Sequence, residues 1–150
     1  QEWPNDAKRP LTAQGTSRFT HEVDGFVALG EGSIDEIFTS PLVRARQTAE
    51  LLAAGLPNRP AVKLLKALEP GHGPVSVIQH LARDAKKHRI ALVGHEPDLG
   101  ELASYLIGTK RPIPFKKGGM CRIDVPALPS NHAGTLLWML PPKILRKLAR

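Results

Sequence analysis

The sequence predicts an α/β fold: a three-layer sandwich with a mostly parallel central sheet, an antiparallel edge and helices on both faces. Three features point there. Two short apolar runs, one through Ile37 and Phe38 and one through Ile90–Val93, each lead at once into an amphipathic segment, which is half of a βαβ unit. The 13 glycines and 14 prolines fall between periodic segments, where chain punctuation belongs. The last third turns to two β-like stretches, 117–128 and 133–141, joined by a polar turn around Ser130 and Asn131.

In chain order, Phe19, Val23, Phe26 and Val27 share one face of a first helix, with Thr12 as its N-cap and Gly30 and Gly32 as its terminators. A strand through Ile37 and Phe38 follows. The next helix has Ser40 as N-cap, Pro41 as its first residue and Gly55 as its stop. Residues 61–68 read as a strand. Pro74 starts a helix that turns Val75, Ile78, Leu81 and Ala82 inward. The run from Ile90 to Gly94 is continuously apolar, as in a strand buried on both faces. Pro97 opens a helix carrying Leu99, Leu102, Ala103 and Leu106, and residues 142–150 form a basic amphipathic helix.

Composition sets the outer bounds. A chain of 150 residues with 41% hydrophobic and 23% charged residues suits a single domain, 1–150, with no linker or internal repeat. It can bury roughly 70% of its unfolded surface. With aromatics at 5%, the core falls to Leu, Ile, Val and Ala. No apolar run nears the ~20 residues of a membrane span, and the first ten residues do not read as a signal peptide. The single cysteine, Cys121, rules out an intramolecular disulfide and a multi-thiolate zinc site, and fits a cytoplasmic protein. The net charge of +7 suits nucleic acid, an acidic surface or a phosphorylated substrate without choosing among them.

Ligands of open α/β sheets gather at the carboxyl ends of parallel strands. Two strands here end in chemistry-bearing residues: Ser40-Pro41-Leu42-Val43-Arg44 and Gly94-His95-Glu96. A helix N-terminus beginning at Ser40 is an anion site in waiting, and a guanidinium at Arg44 can fork two hydrogen bonds onto a phosphate. Arg44 serves equally well as a surface cation paired with a carboxylate. His95 is placed to meet a ligand or to act as a structural histidine. His72, His80 and His88 recur every eight residues, which is not a metal-binding spacing, and no metal or cofactor is expected. There is no nucleophile elbow, no P-loop and no dinucleotide fingerprint.

These residues also carry a family likeness. RPLTAQG, SPLVRARQTAE, LVGHEPDLGEL and the tail TLLWMLPPKILRKLA together resemble the histidine phosphatase superfamily, and more narrowly its SixA-like phosphohistidine phosphatases. The resemblance covers nearly the whole chain and implies a phosphoglycerate-mutase-like fold. It also implies phosphoryl transfer through a covalent phosphohistidine, with no cofactor or metal. By motif, Arg44 matches a pocket arginine and His95 the second histidine of the site. Glu69, in ALEPG, is the candidate general acid, with Glu96 and Asp98 behind it; Glu69 fits a plain turn as well. Ser40 and Arg9 are candidate substrate-binding residues, with Lys8 beside Arg9 as a steering charge; Arg9 and Lys8 fit a solvated surface as well. Lys116, Lys117, Gly118 and Gly119 suit a phosphate-facing turn or an ordinary one.

The family's nucleophile stands in an Arg-His-Gly or Arg-His-Ala motif ahead of the RPLT segment, and this chain contains no Arg-His pair. The expectation is that the nucleophile and its strand precede Gln1, with Gln1–Pro4 in the loop after that strand. The expected partner is a phosphohistidine protein; a small phosphate monoester is the alternative substrate. The alternative of another class is a non-catalytic module binding phosphate or nucleic acid through Lys143, Arg146, Lys147 and Arg150. No aromatic platform accompanies those charges, which argues against nucleic acid. The other reading of that helix packs Ile144, Leu145 and Leu148 onto the sheet.

Overall fold

The computed structural model describes residues 6–149. The elements run α1 (Ala13–Ala28), β1 (Glu36–Thr39), α2 (Val43–Gly55), β2 (Ala61–Leu64), α3 (Pro74–Asp84), β3 (Ile90–Val93), α4 (Asp98–Ile107), β4 (Met120–Asp124), β5 (Thr135–Leu140) and α5 (Pro142–Leu148). Short 3-10 turns stand at Asp6–Lys8 and Lys66–Leu68. The positions expected for Gln1–Pro4 and Arg150 lie outside the described residues.

The α/β sandwich is present. β2, β1 and β3 form a parallel sheet in that order, and β4 and β5 pair antiparallel as a second, smaller sheet. β1 is central, and successive side chains of a strand face opposite ways. Ile37 therefore enters a core with Phe19, Val23, Phe26, Leu52 and Leu145, from α1, α2 and α5. Phe38 enters a second core with Val77, Ile78, Leu81 and Leu102, from α3 and α4. Two residues of one strand thus seed the two layers. Thr39 lies opposite Leu64 on one side and Val93 on the other, so the three carboxyl ends finish level.

Several local expectations shift. The α2 helix begins at Val43 rather than Pro41, and its N-cap position is Leu42, which makes no side-chain capping bond. Pro41 has no N–H, so the Ser40 hydroxyl takes the next amide, that of Leu42, at 3.2 Å. Strand β2 stops at Leu64, and residues 66–68 coil into the 3-10 turn. On α3 the inward face is Val77, Ile78 and Leu81, while Val75 is 49% exposed. β3 is half-buried rather than enclosed, because it ends the three-stranded sheet among the described residues. Thr12 caps α1 as expected, accepting from the Gly15 amide at 2.9 Å.

The C-terminal helix packs mainly on α1, and its Leu145 enters the core that Ile37 of β1 shares. Leu145 is fully buried there and Ile144 is 38% exposed. The two helices approach so closely that a Cβ on Gly25 would sit 1.8 Å from the Leu145 carbonyl oxygen. Arg146 crosses to Glu22 of α1 at 2.7 Å, so one charge of the basic stripe belongs to the fold. Among the described residues, no helix is long and apolar enough to cross a membrane.

Candidate functional site

The level ends of β1 and β3 bring the two predicted loops together. The Ser40 amide continues the parallel ladder by donating to the Val93 carbonyl at 2.9 Å. Beyond it the Ser40 Oγ lies 2.9 Å from His95 Nε2. Ser40 is fully buried and His95 half-buried, so the contact lies just beneath the rim. Arg44 is the second residue of α2, in the helix turn that rises from the same loop, and is also half-buried. A helix start whose N-cap side chain cannot accept a hydrogen bond leaves its first amides to other acceptors.

The remaining predicted residues collect around this rim. The Leu11 amide donates to Gln47 Oε1 at 2.7 Å, so the segment holding Lys8 and Arg9 lies along the first turns of α2. Sequence reasoning missed Gln47, which sits three residues after Arg44 and so one turn along the same face. Glu69 follows the 3-10 turn at the end of β2, half-buried, on the same side of the sheet as Ser40 and His95. An apolar cleft lined by Leu68, Pro74, Val77, Leu99 and Leu102 opens beside His95.

The two lesser candidates for general acid have other work. Glu96 holds the Gly100 amide on Oε1 at 2.7 Å and the Phe115 amide on Oε2 at 3.1 Å. Asp98 Oδ2 accepts from the Gly71 amide at 2.7 Å. These carboxylates tie the 69–73 loop and the 113–115 segment to the start of α4. The Phe115 tie brings the Lys116-Lys117 turn to the rim. The tight part of that turn is Gly118, whose φ is +85° and where a Cβ would meet Glu22 Oε1 at 2.1 Å. A glycine is therefore required there by the fold.

Charge around the site is predominantly positive. Lys66, Lys116 and Lys117 are exposed and make no ion pair among the described residues. Burial pushes the Cys121 thiol on β4 up to about 11, which leaves it protonated and a poor nucleophile at neutral pH. His72 and His80 do not assemble into a metal site, and no group of three His, Cys, Asp or Glu among the described residues could hold an ion.

Residues 9–69 match the histidine phosphatase superfamily (branch 1). An uncharacterized protein of Picosynechococcus sp. is 36% identical over 123 residues, covering 79% of this chain and 73% of that protein. The fold is similar to that of the protein histidine phosphatase SixA complexed with tungstate, with a TM-score of 0.78, 22% identity, and coverage of 96% of this chain and 91% of that one. It is also similar to a phosphoserine phosphatase of Entamoeba histolytica in complex with 3-phosphoglyceric acid, with a TM-score of 0.64, 14% identity, and coverage of 87% and 83%. At these identities the two structures speak to the fold.

Proposed function

The chain belongs to the histidine phosphatase superfamily, and on that premise we propose that it is a cytoplasmic phosphatase domain, residues 1–150, acting on phosphohistidine of a protein. The observation that carries this reading is the meeting of the Ser40–Arg44 loop with His95 at two adjacent strand ends, sealed by the 2.9 Å Ser40–His95 contact. The positive rim and the similarity to a SixA complexed with tungstate, itself an oxyanion, support an anionic phosphoryl group as the ligand. The nucleophile that the family resemblance implies is the histidine of an Arg-His-Gly or Arg-His-Ala motif, a motif that residues 1–150 do not contain.

Phosphoryl transfer depends mostly on positioning and on neutralising charge. Arg44, the first amides of α2 and His95 take the non-bridging oxygens, with Arg9 at the mouth. The nucleophile attacks phosphorus in line, the substrate's P–N bond breaks, and its imidazole leaves with a proton. Imidazole has an ordinary pKa of about 6.5, so it departs without strong acid assistance. Water then attacks the enzyme's phosphohistidine, that P–N bond breaks, and inorganic phosphate is released.

A small phosphate monoester is the second reading. The likeness to a fold holding 3-phosphoglyceric acid favours it. An alkoxide needs a proton on leaving, and Glu69 is then the acid. The test is phosphate release by the protein together with any residues its gene encodes ahead of Gln1. The substrates are a phosphohistidine protein and a panel of phosphate monoesters. Release from the former that falls sharply in Arg44→Ala and His95→Ala is the expected result. A full-length protein that binds phosphate and turns over neither class is a binding module, and the proposal fails.

A further inference from the structure

We infer that Ser40 is a positioning residue: it fixes His95 as the tautomer with its proton on Nδ1, and so sets which ring nitrogen donates to the phosphoryl group. The inference deepens the phosphatase reading and rests on it for the role of His95, but the tautomer follows from the hydrogen bonds of Ser40 alone.

A serine hydroxyl has one proton to give and can accept two hydrogen bonds. Ser40 is fully buried, so water does not reach that proton. Its Oγ has two partners, the Leu42 amide at 3.2 Å and His95 Nε2 at 2.9 Å. An amide can only donate, so Leu42 occupies an acceptor position on Oγ. A buried hydroxyl proton does not go unpaired, and its one acceptor among the described residues is Nε2. Nε2 therefore carries the lone pair, and the proton of the neutral ring is on Nδ1. Should the ring take a second proton, Nε2–H donates to the remaining lone pair of Oγ. In either charge state a proton stays on Nδ1.

Oxygens of a phosphate accept and do not donate, so a histidine that must meet one is useful only while its facing nitrogen holds a proton. With Nε2 committed to a buried hydroxyl, that nitrogen is Nδ1. The sequence builds the device cheaply. The Ser-Pro pair deletes one amide, hands Oγ the next one, and turns the hydroxyl toward the neighbouring strand end. Ser40 itself is too deeply buried to bind substrate directly, which replaces the role expected for it.

The experiment is nitrogen NMR of His95 in the protein labelled with ¹⁵N-histidine, at about pH 8 where an ordinary imidazole is neutral. A protonated Nδ1 and an unprotonated Nε2 are expected, and the reverse pattern overturns the inference at once, with no variant needed. Ser40→Ala should release the preference toward an Nε2–H ring, and Ser40→Thr should restore it; an unchanged tautomer in a folded Ser40→Ala protein also overturns it. In the full-length enzyme, Ser40→Ala should lower kcat by about 10- to 100-fold with little change in KM, and Ser40→Thr should recover most of it. If the full-length protein has no phosphatase activity but shows the Nδ1–H ring, the tautomer assignment stands and the catalytic reading falls.

Discussion

The two ends of the parallel sheet use charge in opposite ways. At the amino end, carboxylates are saturated. Glu36, 3% exposed, accepts from the amides of Lys86 and Lys87 at 2.8 and 2.9 Å and from Lys63 Nζ at 2.6 Å. Asp35 takes the Arg89 amide at 3.1 Å, and Arg89 Nε reaches the Ser33 carbonyl. Glu31 gathers Trp138 Nε1 at 2.7 Å and Arg122 Nη1 at 2.9 Å, clamping the loop before β1 to β4 and β5. At the carboxyl end, Glu96 and Asp98 hold backbone amides, while Lys66, Lys116 and Lys117 stand exposed without ion pairs among the described residues. At one end carboxylates are met by cations as well as by amides, and at the other Glu96 and Asp98 are held by amides alone among the described residues. Net charge therefore says little until its pairing is known.

The contrast predicts separable effects. His95→Ala or Arg44→Ala should cut phosphate release from a phosphohistidine protein by about 10²–10³-fold, while thermal melting stays close to that of the parent. A large loss of stability with activity retained per folded molecule would reverse the roles given to the two ends. Glu36→Gln should do the opposite. Urea unfolding should show about 1.5–3 kcal/mol of lost stability, with turnover of the folded fraction unchanged.

Acid titration separates the carboxylates further. Burial alone would raise Glu36, but Lys63 and the amides of Lys86 and Lys87 outweigh it and hold the carboxyl below its ordinary value of 4.5. Bonds from Trp138 and Arg122 hold Glu31 below that value too. A depressed folded pKa gives stability that is present above the ordinary value and is lost as pH falls through the folded one. Unfolding monitored by circular dichroism should therefore show a steep loss below pH 4.5 that Glu36→Gln makes shallower. Glu22 runs the other way: desolvation by burial raises it more than Arg146 lowers it. Its contribution is full below the ordinary value and is lost as pH rises through the raised one, so Glu22→Gln should flatten the curve just above pH 4.5.

The smallest effect on the fold belongs to the exposed lysines. Lys66→Glu, Lys116→Glu and Lys117→Glu together should leave stability within about 1 kcal/mol. They should reduce kcat/KM for a phosphoprotein by about tenfold at low salt and by less at high salt. Equal losses at both salt concentrations would deny the rim a steering role.

Much of this was legible in the sequence, for physical reasons. Strand-then-helix periodicity gave β1–α2 and β3–α4, and Thr12 announced α1 by its capping chemistry. Ser40 and His95 were legible as strand-end residues because parallel strands must finish on one side. Their contact was not, since register is a tertiary property and no local pattern encodes that Thr39 faces Val93. The start of α2 was misplaced because Ser-Pro reads as cap and first turn, while the hydroxyl found a better partner across the sheet. The 61–68 stretch misled because strand and 3-10 turn share the same Leu, Lys and Ala residues. Glu96 and Asp98 resembled acids in a motif, and only the fold shows the amides they hold.

A titration of the protein with tungstate or inorganic phosphate, followed by ¹⁵N NMR, tests most directly whether the two loops form one oxyanion site. One saturable binding event should move the amides of residues 42–46 and the ring nitrogens of His95 together, along a single curve. Saturation that leaves either group unmoved, or moves the two with different midpoints, would place them in separate sites.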